Sequence, residues 1–221
     1  IFLAFMAFSA LTMLWFWLRQ PETLAVADRR PLRLGTLVAA FREVLSYRVV
    51  VVSIAVQTLA FASLFATLSA TQPIFDQVYG EGDRFALWFA VIALVSGLSS
   101  LLNARLVMRL GMRRMISVTF AVQVVFSAVM LATKSAGIWP EGIGFALHLI
   151  WTIGVFFMVG LTIGNLNALA LEPVGHIAGM AASVMGAIAT VASVLLAVPV
   201  GLMFDGTALP LMSGILVFSA V

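Results

Sequence analysis

The side chains of this sequence that could bind a ligand are uncharged polar and aromatic groups set in long apolar runs. Gln57 is followed by Phe61 and Phe65 at the i+4 and i+8 positions, so the three share roughly one helix face. His148 and Trp151 lie three residues apart in a later run. A cavity with such a lining suits an amphipathic, partly aromatic molecule. These five residues are therefore candidates for a substrate cavity, with ordinary helix packing as the alternative.

Proton handling has one candidate in the apolar runs, His148. No Asp, Glu, Lys or Arg lies near the middle of any run. A charge there costs on the order of 3 kcal/mol and is usually functional when it occurs. Histidine titrates near neutral pH and suits proton transfer. A lone histidine near a helix end is more often a structural hydrogen-bonding group, so both interpretations stay open.

Catalytic and metal chemistry have little support in the sequence. There is no cysteine, so neither a disulfide nor a thiolate metal site can form. The two histidines, His148 and His176, are expected on opposite sides of a membrane, and no reactive cluster faces one interface. We predict no catalytic residue, no metal site and no cofactor, and a protein that is not an enzyme.

Membrane-spanning helices must position these groups. The chain is 63% hydrophobic and 10% charged, whereas soluble domains are roughly half apolar and a quarter charged. A helix needs about 20 mostly apolar residues to cross the hydrocarbon core. Apolar runs occur at about 1–18, 49–70, 85–104, 115–133, 143–165, 177–204 and 207–221. Because they lack the alternation of outer-membrane barrel strands, we predict an all-α membrane protein.

The basic residues predict the orientation. Six arginines lie between the first two runs: Arg19, Arg29, Arg30, Arg33, Arg42 and Arg48. Four more lie between the third and fourth runs: Arg105, Arg109, Arg113 and Arg114. Only Arg84 and Lys134 fall in connections on the opposite side. Both basic loops are therefore predicted to be cytoplasmic, and membrane topology rather than a nucleic-acid partner explains the positive charge.

The first basic loop contains a helical pattern. Apolar residues recur there at three- and four-residue steps: Leu34, Leu37, Val38, Phe41, Val44 and Leu45. This spacing is typical of a helix that lies along the membrane surface. A plain helical connector is the alternative interpretation.

Three segments resemble a known family. PETLAVADR at 21–29 resembles the segment after the sixth helix in drug:proton antiporters of the major facilitator superfamily. NARLVMRLGMRRM at 103–115 resembles the second-half copy of that superfamily's basic motif. NLNALALEPVGHIAGMAASVMG at 165–186 is similar to the junction of helices ten and eleven in the bicyclomycin and chloramphenicol resistance branch.

The resemblance implies the C-terminal half of a twelve-helix transporter. Residues 1–18 would be the end of helix six, and residues 19–48 the central cytoplasmic loop with an interfacial helix. Residues 49–221 would form the second-half bundle, a six-helix bundle at the ranges given above for the last six runs. We therefore expect a fragment of a longer protein that lacks its N-terminal half.

The resemblance also implies roles for the second basic loop. Its gating and loop residues are Arg105, Arg109, Gly111, Arg113 and Arg114. Arg109, Gly111 and Arg113 match the family motif directly. The motif's acid falls on Met108 and its first glycine on Ala104, so the charge-relay part of the role is not implied. Turn formation and contact with anionic lipid are left as roles for these residues.

Residues 160–186 are expected to pack helices closely. The residues assigned to packing in this region are Asn165, Asn167, Glu172, Pro173, Gly175, Gly179 and Gly186. The asparagines could cap a helix end or bond across to a neighbour, and Pro173 ends the helix. Glycines four residues apart, such as Gly160 and Gly164, let helices approach closely in a membrane.

The family's activity is proton-coupled export of small amphipathic compounds by alternating access. The resemblance therefore implies a drug-like substrate and protons as partners, besides the lipid bilayer. It also implies a monomeric, multi-pass multidrug exporter of a bacterial-type cytoplasmic (inner) membrane. The alternative is a non-transporting polytopic membrane scaffold or subunit, because no charge is buried in the runs.

Overall fold

The computed structural model describes residues 2–21, 34–140 and 142–221, and every regular element in them is helical. The α-helices are α1 Phe2–Arg19, α2 Leu34–Ser46, α3 Arg48–Pro73, α4 Phe85–Leu110, α5 Met112–Ser135, α6 Gly144–Leu171, α7 Ala178–Leu202 and α8 Leu209–Ala220. A π-helical turn, Ile74–Val78, extends α3. The 3-10 turns Gly82–Arg84 and Glu172–Ile177 precede α4 and α7.

Five of the helical segments are long and apolar enough to cross a membrane. They are Phe2–Arg19, Arg48–Val78, Gly82–Leu110, Met112–Ser135 and Gly144–Leu202. The last has 59 residues, about 90 Å of helix at 1.5 Å per residue, which is enough for two crossings. The predicted fold class, an all-α membrane protein, is confirmed.

The break between α6 and α7 has a local cause. Pro173 has no backbone N–H, so it cannot continue the helical hydrogen bonds of α6. Val174 follows with φ −119° and ψ 27°, outside the helical region. The chain therefore turns within Glu172–Ile177 and begins α7 at Ala178.

The chain forms two compact units, Ile1–Ala39 and Ala40–Val221. In the first, the side chains of α1 are exposed, as expected of an apolar helix that meets lipid or another helix. In the second, α3 packs against α6, α7 and α8, and α6 packs against α4 and α5. The helices α3 and α6 are thus the central elements of the second unit.

Small residues allow α3 to occupy this central position. Its buried positions include Ala60, Ala62, Ser63, Ala66 and Ala70. Such side chains let neighbouring backbones approach closely. The buried hydroxyls of α3 donate to carbonyls four residues earlier, for example Thr67 Oγ1 to Ser63 O at 2.7 Å, so they need no water.

The second unit has a basic end and an acidic end. The basic end carries Arg48 and the α4–α5 turn, and its apolar cluster joins α2, α3, α6 and α7 around Val44 and Ile177. The acidic end carries the α3–α4, α5–α6 and α7–α8 connections, with Asp76, Glu81, Asp83 and Asp205 among its residues. A larger cluster that includes Phe75 and Trp151 lies there.

Candidate functional site

The α3 candidates lie along one helix, as their spacing predicts. The Phe61 and Phe65 rings are stacked, with centroids 5.9 Å apart and planes 29° apart, and both are half-buried. Gln57 is 3% exposed, and its side-chain oxygen Oε1 has no hydrogen-bond partner among residues 2–21, 34–140 and 142–221. A buried acceptor without a donor is costly in an apolar setting. Gln57 therefore offers an unused acceptor to an approaching donor.

A groove of about 480 Å³ runs between α3 and α7 and begins at Phe65. It is lined by Phe65, Leu68, Ser69, Val194, Ala197, Val198, Gly201 and Leu202. No charged side chain is in this lining. The groove suits an uncharged, partly aromatic surface, and Phe65 is the predicted cavity residue that lines it.

The α6 candidates lie together but deep inside the bundle. The His148 and Trp151 ring centroids are 5.5 Å apart, and both side chains are completely buried. The His148 ring also lies 5.4 Å from that of Tyr79 and 6.1 Å from that of Phe75. Neither ring nitrogen of His148 has a hydrogen-bond partner in the described part of the chain. Neither residue is part of the lining of the α3–α7 groove.

Trp151 is held by a buried polar network between α5 and α6. Its Nε1–H donates to Ser127 Oγ at 3.0 Å, and Gln123 Nε2 donates to the same oxygen at 3.0 Å. All three side chains are buried. The indole therefore has a fixed orientation.

The second basic loop consists of a single residue. The helix α4 ends at Leu110 and α5 begins at Met112, so Arg105 and Arg109 lie on the last turns of α4. Gly111 has φ +78° and ψ 155°, a conformation that glycine adopts readily. The four arginine side chains of this region are exposed. They stand around a tight turn rather than in an extended loop.

Asn165 packs helices, but it is not a cap, because α6 continues to Leu171. Its Nδ2 donates to Asn103 Oδ1 of α4 at 2.7 Å and to the Leu161 carbonyl at 2.8 Å. A hydrogen bond between the side-chain amides of two helices replaces the hydrogen bonds to water that the bilayer cannot supply. Asn167 lies two residues further along α6 and is half-buried.

The glycines of the packing group differ in their surroundings. A Cβ added to Gly160 would overlap the Ser99 hydroxyl of α4. A Cβ added to Gly164, Gly175, Gly179 or Gly186 would meet no atom within 4 Å. Of this group, Gly160 is therefore the glycine at a close approach, and the predicted packing role of the other four would need a partner outside the described residues.

Near Glu172 and Pro173, the α6–α7 break contacts α2, the helix of the first basic loop, through His176 rather than through Glu172. His176 Nε2 lies 2.6 Å from Glu43 Oε1. Val44, the next residue of α2, is completely buried in the apolar cluster of the basic end. Glu172 is exposed, and no basic partner within 4.0 Å is found for it among residues 34–140 and 142–221.

Comparison with known proteins decides the family. Residues 1–200 match the Major Facilitator Superfamily. The chain belongs to this superfamily. Membership points to a membrane transporter rather than an enzyme. No solved structure matches the chain.

A curated relative within the superfamily is also similar. The chain is 27% identical over 198 residues to the bicyclomycin resistance protein homolog of Haemophilus influenzae. The match covers 87% of this chain and 47% of the relative, so the chain spans about half the relative's length. The resemblance to the bicyclomycin and chloramphenicol resistance branch is confirmed.

This superfamily member has one cluster that its sequence did not predict, at the acidic end. Lys134 Nζ donates to Tyr79 Oη at 2.8 Å and lies 4.5 Å from the Trp139 ring centroid. Burial raises the pKa of Tyr79, so the phenol stays protonated. Tyr79 and Lys134 are 55 residues apart in the sequence, and no local spacing could indicate their contact. In the sequence, Lys134 is distinguished only as one of two basic residues on the side opposite the basic loops.

Proposed function

We propose that the complete protein is a secondary active exporter of small amphipathic compounds. It would exchange them for protons by alternating access. The observation that carries this proposal is the match to a relative named for bicyclomycin resistance, which extends over 87% of this chain. Superfamily membership supports the transport step, because the superfamily match covers residues 1–200.

The chain would supply the second half of that exporter. Residues 1–18 would end helix six, 19–48 would form the central loop with an interfacial α2, and 49–221 would form the second-half bundle. The basic end would face the cytoplasm of a bacterial-type inner membrane. The N-terminal half would pair with this chain in a monomeric transporter.

The uncharged groove between α3 and α7 supports an apolar contribution to substrate binding. Phe61 and Phe65 would contact an aromatic or aliphatic part of the compound, and Gln57 would accept a hydrogen bond from it. The charged residues that move protons would come from the N-terminal half. In the described part of this chain, the buried polar side chains are Ser, Thr, Gln, Asn and His.

Drug resistance of intact cells tests the substrate face. The complete gene, expressed in a host without its own drug exporters, should raise the inhibitory concentration of bicyclomycin. We expect Phe65→Ala to reduce that resistance several-fold, because the half-buried ring would lose roughly 1 kcal/mol of apolar contact with the compound. Phe16→Ala is the matched control, since Phe16 lies on α1 and is 66% exposed. Equal resistance in both variants would remove Phe65 from the site.

Proton coupling needs a separate measurement. In inverted membrane vesicles with an established pH gradient, the exporter should dissipate the gradient when a transported compound is added. Compound accumulation without any proton movement would refute the antiport mechanism while leaving export intact.

A non-transporting scaffold or subunit is the second candidate. The observation that favours it is the lack of a buried charged side chain in the described spans. Proton-driven transport needs such a group somewhere in the protein. Neither resistance nor proton movement, with normal amounts of protein in the membrane, would favour the scaffold.

A further inference from the structure

An open groove of about 650 Å³ separates α7 from α8 at the acidic end. The two helices touch where Gly214 meets Val200, since a Cβ on Gly214 would lie 2.7 Å from Val200 Cγ2. Leu195, on the groove wall, is 70% exposed, and Met203 near its mouth is 65% exposed. Large apolar side chains this exposed in a spanning helix are positioned to contact lipid chains or another helix.

A carboxylate stands at the mouth of this groove. Asp205 Oδ1 accepts hydrogen bonds from the Thr207 backbone N–H at 3.0 Å and the Thr207 hydroxyl at 2.7 Å. These hydrogen bonds lower the pKa of Asp205, so the group is anionic at neutral pH. Among residues 2–21, 34–140 and 142–221, no lysine or arginine nitrogen is found within 4.0 Å of it.

The other polar groups of the groove are hydrogen-bond acceptors too. Pro199 has no N–H, so the Leu195 carbonyl loses its helical donor. The Ser213 hydroxyl donates to the Leu209 carbonyl at 2.8 Å, which leaves its oxygen free to accept. The groove thus combines an apolar wall with acceptors and one negative charge, and its lining contains no basic side chain.

We propose that this groove binds an aminophospholipid, with the headgroup ammonium at Asp205 and an acyl chain along the α7–α8 wall. The ammonium supplies the N–H donors and the positive charge that the mouth of the groove lacks. The acyl chain of the lipid covers the exposed leucine and valine side chains of the wall. Asp205 lies between the end of α7 and the start of α8, at the depth where headgroups meet the apolar spans. A phosphatidylcholine headgroup has no N–H to donate, and an anionic headgroup without an amine is repelled. This site does not depend on the proposed transport activity.

Lipid retention in the complete protein tests the site. The protein is placed in nanodiscs of equimolar phosphatidylethanolamine and phosphatidylcholine with identical acyl chains. After the protein is released from the nanodiscs, native mass spectrometry counts the lipids of each type that stay bound to it. We expect phosphatidylethanolamine to be preferred. Asp205→Asn should lower its retention by about twofold to fivefold, the effect of losing an exposed charge pair.

Two matched controls make the result specific. Asp83→Asn removes an exposed acid of the same end that lies outside the groove, and it should leave retention unchanged. Leu195→Trp should fill the groove and lower retention, whereas Leu94→Trp, at a residue of α4 that is 75% exposed, should not. Unfolding midpoints of all four variants show that the protein is intact.

Three outcomes would overturn the proposal. Equal retention of the two lipids would mean that any acyl chain, or a neighbouring helix, covers the groove. Unchanged retention in Asp205→Asn would remove the carboxylate from the site. A loss in Asp83→Asn as large as that in Asp205→Asn would show a general effect of surface charge.

Discussion

At the scale of the residue, Ser127 has the most constrained polar contacts. Its hydroxyl oxygen accepts from both Trp151 and Gln123, and all three side chains are buried. Each donor would otherwise be buried without an acceptor, which costs about 1–3 kcal/mol. A small side chain of α5 thus fixes the orientation of the largest fully buried side chain of the bundle.

We predict that Ser127→Ala destabilises the protein by about 2 kcal/mol, because it leaves two buried N–H groups without an acceptor. Thermal unfolding in detergent, followed by tryptophan fluorescence, measures the effect. Ser183→Ala is the control, since the Ser183 hydroxyl is exposed and bonds only to the Gly179 carbonyl among the described residues. Identical midpoints for both variants would show that the network does not hold Trp151.

At the scale of the element, the α4–α6 contact depends on a glycine and an amide pair. Gly160 lies against Ser99, and one turn further along α6 Asn165 bonds to Asn103. Without a hydrophobic driving force between helices in lipid, such close packing and hydrogen bonding hold them together. A Cβ added to Gly164, Gly179 or Gly186, further along α6 and α7, would meet no atom within 4 Å.

Two alanine substitutions on the same helix should therefore have opposite effects. Gly160→Ala forces its methyl group into the Ser99 hydroxyl, so we expect a loss of about 1–3 kcal/mol of stability. Gly164→Ala meets nothing and gains helix propensity, so it should be neutral or stabilise by up to about 1 kcal/mol. Denaturation of the two purified variants under the same conditions compares them. A larger loss from Gly164→Ala would contradict the packing at Gly160.

At the scale of the whole molecule, the charge asymmetry matches the two ends of the bundle. Arg48 and the arginines around the α4–α5 turn lie at one end of the second unit, and its acidic connections lie at the other. Basic residues near span ends are retained on the cytoplasmic side during insertion. The two ends should therefore differ in their access from outside the cell.

Cysteine labelling in intact cells tests this orientation in the complete protein. This chain has no cysteine of its own. A Leu110→Cys variant, at the basic end, should resist a membrane-impermeant thiol reagent added outside, whereas Asp83→Cys, at the acidic end, should react rapidly. Rapid labelling at position 110 with none at position 83 would reverse the topology.

The sequence predicted the all-α membrane fold, because length and apolarity suffice to identify a membrane helix. The helices themselves extend beyond the apolar runs. The α4 helix carries Arg105 and Arg109, and α6 carries Asn165, since helices continue into the headgroup region, where polar residues are tolerated.

Contacts within the candidate site were harder to predict. The spacing of Gln57, Phe61 and Phe65 predicts that they share roughly one helix face, because the helical repeat determines which residues lie on the same side. The burial of Trp151 against Ser127 depends on the crossing of α5 and α6, which spacing within one helix does not contain. The cavity role of these residues stays a prediction.

The single-glycine turn at Gly111 has a mechanical consequence. A linker of one residue has no slack, so α4 cannot slide along its axis without moving the start of α5. Both helices also pack against α6. An axial shift of α4 must therefore also displace the start of α5, whereas the six-residue segment Glu172–Ile177 gives α7 a longer joint to α6.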